Sequence, residues 1–93
     1  MKYPNPKMKK IKRSQPMLVS CGVCKVPLIL YQKQGIGTLL RLHIERVIES
    51  EMQLTSQNLT CPECDTVLGH KVTINDEESY KMLRSNYNTK FIK

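Results

Sequence analysis

Two pairs of cysteines stand out chemically in this 93-residue chain: Cys21 and Cys24 in "VSCGVCKVPL", and Cys61 and Cys64 in "LTCPECDTVLGHKV". Two intervening residues let both sulfurs of a tight turn point to one side. Two such turns facing each other offer four thiolates at Zn–S distances of about 2.3 Å. Gly22 and Pro62 suit a backbone that folds around a cation. We read the pattern as one structural zinc on Cys21, Cys24, Cys61 and Cys64, with iron the alternative, since four sulfurs alone do not separate the two. A redox dithiol needs no second pair. A disulfide framework belongs to oxidising compartments, and the first 20 residues lack the apolar run of a secretory signal. The expected location is therefore intracellular (cytoplasmic, or nuclear in a nucleated cell). Four thiolates close the coordination shell and leave no position for water or substrate, so the metal is expected to hold the fold and do no chemistry.

No other residues assemble into a catalytic pattern, and an enzyme is not expected. His70 follows Cys64 by six residues but adds nothing to a complete shell, so it reads as a neighbouring or surface histidine. His43 shares a polar strand face with Arg41 and Glu45. Glu77 and Glu78 read as helix N-terminal acids complementing the dipole. Lys25 and Lys71, near the cysteine turns, are expected to offset the negative charge of a four-thiolate zinc.

The net charge of +7 is unevenly placed. Residues 1–16 carry Lys2, Lys7, Lys9, Lys10, Lys12 and Arg13 without an acid, whereas residues 17–70 are close to neutral. Cations without acids neutralise phosphates and release counterions. Lys7, Lys9, Lys10, Lys12 and Arg13 are therefore candidate nucleic-acid contacts, with DNA and RNA not distinguished, and Tyr3 could stack on an unpaired base. The bland alternative is a solubilising tail or address signal. No segment has the length of a membrane span or the apolar face of a membrane-lying helix, so no membrane partner is expected.

The elements that must position the cysteines follow from pattern. Pro4, Pro6 and Pro16 and low hydrophobicity make residues 1–16 a flexible basic arm, with the zinc-binding domain over 17–93. "MLVSCGVCKVPLILYQK" reads as strand, cysteine turn and strand, with Pro27 at a strand start or edge. Residues 38–50 fit both periods. Leu40, Leu42 and Ile44 alternate with polar residues, yet Ile36, Leu40, Ile44, Val47 and Ile48 form a helical stripe. The Gly35–Gly37 turn favours a strand to Glu45 that closes a hairpin with residues 26–32, followed by a short helical turn. Residues 50–60 are a polar connection with room for a short strand, and 66–74 a strand. "NDEESYKMLRSNY", residues 75–87, opens with cap residues and acids and reads as a short helix with Tyr80, Leu83 and Tyr87 on one side.

The two knuckles resemble a zinc ribbon, but 36 residues separate Cys24 from Cys61, against roughly 15–20 in the simple ribbon. The longer insert is similar to the β-tent zinc folds of Yippee-type proteins, cereblon's ligand domain and methionine sulfoxide reductase B. "CPECDTVLGHKV" resembles that reductase's second knuckle and "CGVCKVPL" its first. The resemblance covers the knuckles and implies the four cysteine ligands. It does not imply the reductase activity, which also uses a cysteine outside the zinc site and a tryptophan; this chain has neither.

The expectation is a small β-rich (α+β) zinc-ribbon or β-tent-like domain with a short C-terminal helix and a disordered basic N-terminal arm. Its expected role is a structural-zinc module associated with nucleic acid; the alternative is a protein-interaction module with the arm incidental. An apolar patch at Tyr31, Ile36 or Leu39 favours the second. Clustering of Lys25, Lys33, Arg41 and Arg46 on one face favours the first.

Overall fold

The computed structural model describes residues 2–35 and 37–92, and over these the chain is all-β. Its elements are β1 (Tyr3–Pro4), β2 (Ser14–Cys21), β3 (Pro27–Gln34), β4 (Arg41–His43), a 3-10 turn (Ile44–Arg46), β5 (Val47–Ser50), β6 (Asn58–Thr60), β7 (Val67–Ile74), β8 (Glu77–Met82) and β9 (Tyr87–Phe91). They form two antiparallel sheets, β1-β5-β3-β2-β9 and β4-β8-β7-β6. Apolar alternation supplies the core. Met17, Val19 and Cys21 alternate along β2, and Leu28, Ile29, Tyr31, Leu42, Leu59, Leu68 and Tyr80 are also buried.

The strands predicted around the first cysteine pair and after the second are present, and β3 begins at Pro27, where a missing N–H is tolerated. A short strand, β6, also precedes the second pair, within the stretch read as a polar connection. The expected C-terminal helix is not. Residues 75–87 instead hold β8 and the approach to β9. Asn75 and Asp76 both take positive φ (49° and 65°) between the paired residues Ile74 and Glu77. That is the two-residue turn that matches strand twist, and Asn and Asp tolerate it better than most residues. Side chains that read as helix caps are therefore hairpin-turn residues. Tyr80 and Tyr87 lie on strands of different sheets.

The hairpin expected between residues 26–32 and 38–45 is also replaced. After β3 the chain leaves the first sheet, and β4 pairs with β8 in the second. The 3-10 turn then returns it, and β5 pairs with β3. The mixed period of residues 38–50 reflects this double crossing: each short piece faces a different neighbour, so no single period persists. Tyr31, Tyr80 and Tyr87 fasten the crossings. The His43 N–H donates to the Tyr31 hydroxyl (3.0 Å), Tyr80 donates to the Ser56 carbonyl (2.6 Å), and Tyr87 donates to the Leu39 carbonyl.

The described part of the N-terminal arm, expected to be disordered, packs onto the folded body. β1 pairs with β5, and the Asn5 side-chain amide donates to the Ile44 and Val47 carbonyls at 2.7 and 2.8 Å. Lys9 N–H bonds to the Glu45 carbonyl (2.8 Å). Buried Gln32 clamps the segment from the sheet, accepting from Ile11 N–H (3.0 Å) and donating to the Lys9 carbonyl (2.8 Å). β2 itself begins at Ser14, inside the stretch read as arm. The prolines that signal disorder in isolation are compatible with this lie, because the anchoring bonds use other residues' amides. Gln32→Ala should leave Ile11 N–H and the Lys9 carbonyl without partners and cost about 1–3 kcal/mol. Chemical denaturation of the metal-loaded chain, with faster amide exchange at Lys9 and Ile11, is the expected readout; unchanged exchange would contradict the clamp.

Candidate metal centre and cationic cleft

Each cysteine pair sits in the turn of a hairpin, one per sheet, and the two turns are built alike. Cys21 N–H bonds to the Val26 carbonyl (3.0 Å) and Lys25 N–H to the Cys21 carbonyl (3.1 Å). Five-residue spacing recurs in the second turn, from Cys61 N–H to Thr66 (2.8 Å), with Asp65 N–H returning to Cys61 (2.9 Å). The residue after the second cysteine is left-handed in both, Lys25 at φ 66° and Asp65 at φ 61°. A register shift precedes both, between Val19 and Ser20 and between Leu59 and Thr60. The bulge strengthens the local twist and re-aims the strand end, so both sulfurs of a pair turn toward the opposing hairpin.

The four sulfurs lie within 4.8 Å of one another. Cys21 Sγ is 3.5 Å from Cys64 Sγ, and Cys24 Sγ is 3.6 Å from Cys61 Sγ. A tetrahedron with 2.3 Å metal–sulfur bonds has edges of about 3.8 Å, and a disulfide requires about 2.05 Å. All four thiols are free, Cys21 and Cys61 buried against the core and Cys24 and Cys64 exposed. The predicted ligands are thus brought together in a geometry that can hold one metal ion.

Backbone N–H groups converge on the sulfurs in the same order in both turns. Val23 and Cys24 donate to Cys21 and Val26 to Cys24; Glu63 and Cys64 donate to Cys61 and Thr66 to Cys64. Such bonds favour thiolates. Burial opposes ionisation of Cys21, but the N–H groups and neighbouring thiols outweigh it and lower its pKa to about 6. At Cys24 the Val26 N–H favours the thiolate, yet burial and the other three thiols push the pKa up to about 12. Burial also raises Cys61, while the Thr66 hydroxyl and N–H lower Cys64. Two thiols ionise readily and two resist, as expected for like charges in contact. A cation at their centre lets all four ionise together.

The residues around the site take other roles. Lys25 Nζ donates to the Gly22 carbonyl (2.9 Å) at the first turn, whereas Lys71 pairs with Glu78 (3.4 Å). His70 is exposed and bonds Asn58 (2.7 Å). His43 is half-buried, with Nδ1 3.1 Å from Ser79 Oγ. Burial and then Arg46 lower its pKa, with Arg41 acting in the same direction against Glu77 and Glu45.

A cleft of about 680 Å³ opens between the sheets, with the cations Lys33, Arg41, Arg46, Lys81 and Arg84 in its lining and no Asp or Glu among the described lining residues. Lys33, Arg41 and Arg46 were singled out by the sequence; Lys25 does not join them. Lys81 and Arg84 fall in the stretch read as a helix, whereas β8 pairs Lys81 directly with Arg41. The ion pairs among the described residues, Lys9–Glu45 and Lys71–Glu78, engage none of the five. Of the arm candidates, Lys7, Lys10, Lys12 and Arg13 are exposed, and Lys9 Nζ lies 3.3 Å from Glu45. The arm segment held by Gln32 lies on the face of β3 opposite Tyr31 and Lys33, since neighbouring strand residues point to opposite sides.

Fold and site together define a small all-β module whose four clustered cysteines, two from each sheet's hairpin turn, could hold a metal ion between the sheets. Comparison with protein-family models, curated proteins and solved structures finds no match.

The likeness of the turns ends at one position. A Cβ at Gly22 would lie 2.7 Å from the Ser85 carbonyl oxygen, because the turn before β9 crosses the first knuckle. Its counterpart Pro62 is exposed. Gly22→Ala should therefore cost about 1–3 kcal/mol and weaken metal retention, while Pro62→Ala stays within about 1 kcal/mol. Thermal unfolding of the two metal-loaded variants checks the contrast; equal losses would contradict it.

Proposed function

We propose that this chain is a structural-zinc module of β-tent type that associates with nucleic acid through its exposed cations, inside the cell. We take the ion as zinc because a site that joins two sheets calls for a redox-inert cation, although the four sulfurs alone do not separate zinc from iron. The β-tent reading is supported by paired knuckles on hairpins of two different sheets, which extends the resemblance of "CGVCKVPL" and "CPECDTVLGHKV".

The observation that carries the nucleic-acid reading is the gathering of exposed cations: the cleft has no acid among its described lining residues, and of the arm candidates Lys9 is the one in an ion pair among the described residues, with Glu45. Lys7, Lys10, Lys12 and Arg13 are exposed on the arm, and five more cations line the cleft. Such cations retain full attraction for phosphate. The protein-interaction alternative expects an apolar patch at Tyr31, Ile36 or Leu39. Tyr31 and Leu39 are buried, and Ile36 lies outside the described residues.

X-ray absorption should find one zinc per chain with four sulfurs at about 2.3 Å; nitrogen or oxygen ligands would contradict the site. In a salt series, wild type should bind short nucleic acids with a steep dependence. Replacing Lys7, Lys9, Lys10, Lys12 and Arg13 by Gln should make the log–log slope shallower by about 3 to 4. Absence of binding by the zinc-loaded wild type at low salt would contradict the reading and favour a protein partner.

A further inference from the structure

We infer that the cleft between the sheets is a binding site for single-stranded nucleic acid, with phosphates held by Arg41, Lys81 and Arg84 and an unstacked base laid on Leu40. The inference rests on the nucleic-acid reading above and locates it in the folded body, apart from the arm.

Three features of the cleft select this ligand. The first is charge: Lys33, Arg41, Arg46, Lys81 and Arg84 surround a concave space without an acid in its described lining. Arg41, Lys81 and Arg84 are exposed and form no ion pair among the described residues, whereas Lys33 donates to the Gln34 carbonyl and Arg46 to the Tyr31 hydroxyl. The second is an apolar surface set among those charges. Leu40 is 54% exposed, one of few large hydrophobic side chains left in solvent, and it too lines the cleft. It is not on a loose loop, because the Met82 N–H donates to the Leu40 carbonyl at 3.0 Å, and buried Leu39 beside it accepts from Tyr87. A simple polyanion would gain nothing from this surface. A nucleotide presents both a charged phosphate and a planar base whose apolar area can be buried against Leu40.

The third feature is size. About 680 Å³ lies within the range of small-ligand clefts and accommodates a splayed-out nucleotide. A duplex keeps its bases stacked inside and offers only phosphates to a recess, so Leu40 would stay in water. The rigid framing of the cleft by β4 and β8, paired Arg41 to Lys81, fixes two cations side by side. One phosphate can therefore be met by both without ordering a loop.

The test uses zinc-loaded full-length protein, fluorescent ten-residue oligo-U and oligo-dT, a matched duplex, and tripolyphosphate as a competitor without bases. Wild type should prefer either single strand to the duplex by about tenfold or more; preference between RNA and DNA then names the source of the strand, and either supports the site. Arg41→Ala/Lys81→Ala/Arg84→Ala should make the salt slope for single strands shallower by about 2, at about 0.7 per phosphate contact. Leu40→Ala should weaken oligonucleotide binding about fivefold, the scale of the apolar carbons removed, and leave tripolyphosphate competition unchanged. Retained amide dispersion in each variant shows that the fold persists. If cleft variants bind like wild type while the arm variant loses binding, the cleft assignment is overturned and the nucleic-acid reading stands. Equal or tighter binding of the duplex, or equal loss of tripolyphosphate and oligonucleotide with Leu40→Ala, also overturns it. If wild type binds no nucleic acid at low salt, both fall.

Discussion

The convergence of four sulfurs from two hairpins is the constraint on which the rest of this structure depends. Strand pairing operates within each sheet; between sheets the ties are the core, a few side-chain bonds such as His43 N–H to Tyr31, and the cysteine cluster. The core is modest, with Tyr31 and Tyr80 its largest fully buried side chains. A domain of this size has a thin margin from apolar burial alone. Structural zinc in small domains contributes an apparent 10–16 kcal/mol, comparable to the whole stability of a typical domain. The matched turns, bulges and N–H donors make that contribution available: they aim the sulfurs and direct hydrogen bonds at them, and a cation would let all four ionise together.

This arrangement also separates stability from recognition. A metal held by all four thiolates would have a complete shell and offer nothing to a ligand, and the cleft and arm cations lie elsewhere. One group follows the arm fixed by Asn5 and Gln32 on one side of β3; the other lines the cleft on the opposite side, where Arg41 and Lys81 are strand neighbours. On the nucleic-acid reading proposed above, a polyanion running along the body would meet both groups, with Leu40 offering an apolar contact in the cleft.

Much of the site was legible because its signal is local. Spacing alone placed Cys21, Cys24, Cys61 and Cys64 in two turns, and three of the flanking strands followed from short apolar runs; β6 lies in a stretch that reads as polar connection. What failed depended on distant partners. Asn75 and Asp76 are good helix caps and equally good turn residues; only the pairing of β7 with β8 decides between them. Residues 38–50 cross between sheets twice, so their periodicity averages over two surroundings. The arm looked unstructured because its own residues bury little. Its order comes from Gln32, a polar residue in a strand whose role becomes visible only once residues 9 and 11 lie against it. The cleft was half-visible for the same reason: Arg41 and Arg46 could be listed, but Lys81 joins them only through a strand pair that a helix reading precludes.

The most direct measurement of the central claim is amide NMR of the metal-loaded chain during titration with a high-affinity chelator, with metal release followed in parallel. If the sulfur cluster holds the sheets together, dispersed resonances from both sheets should disappear in step with metal loss, Cys61→Ser should lack them from the start, and restored metal should recover them in the wild type. Native-like dispersion across both sheets in the fully metal-free wild-type chain would contradict the account.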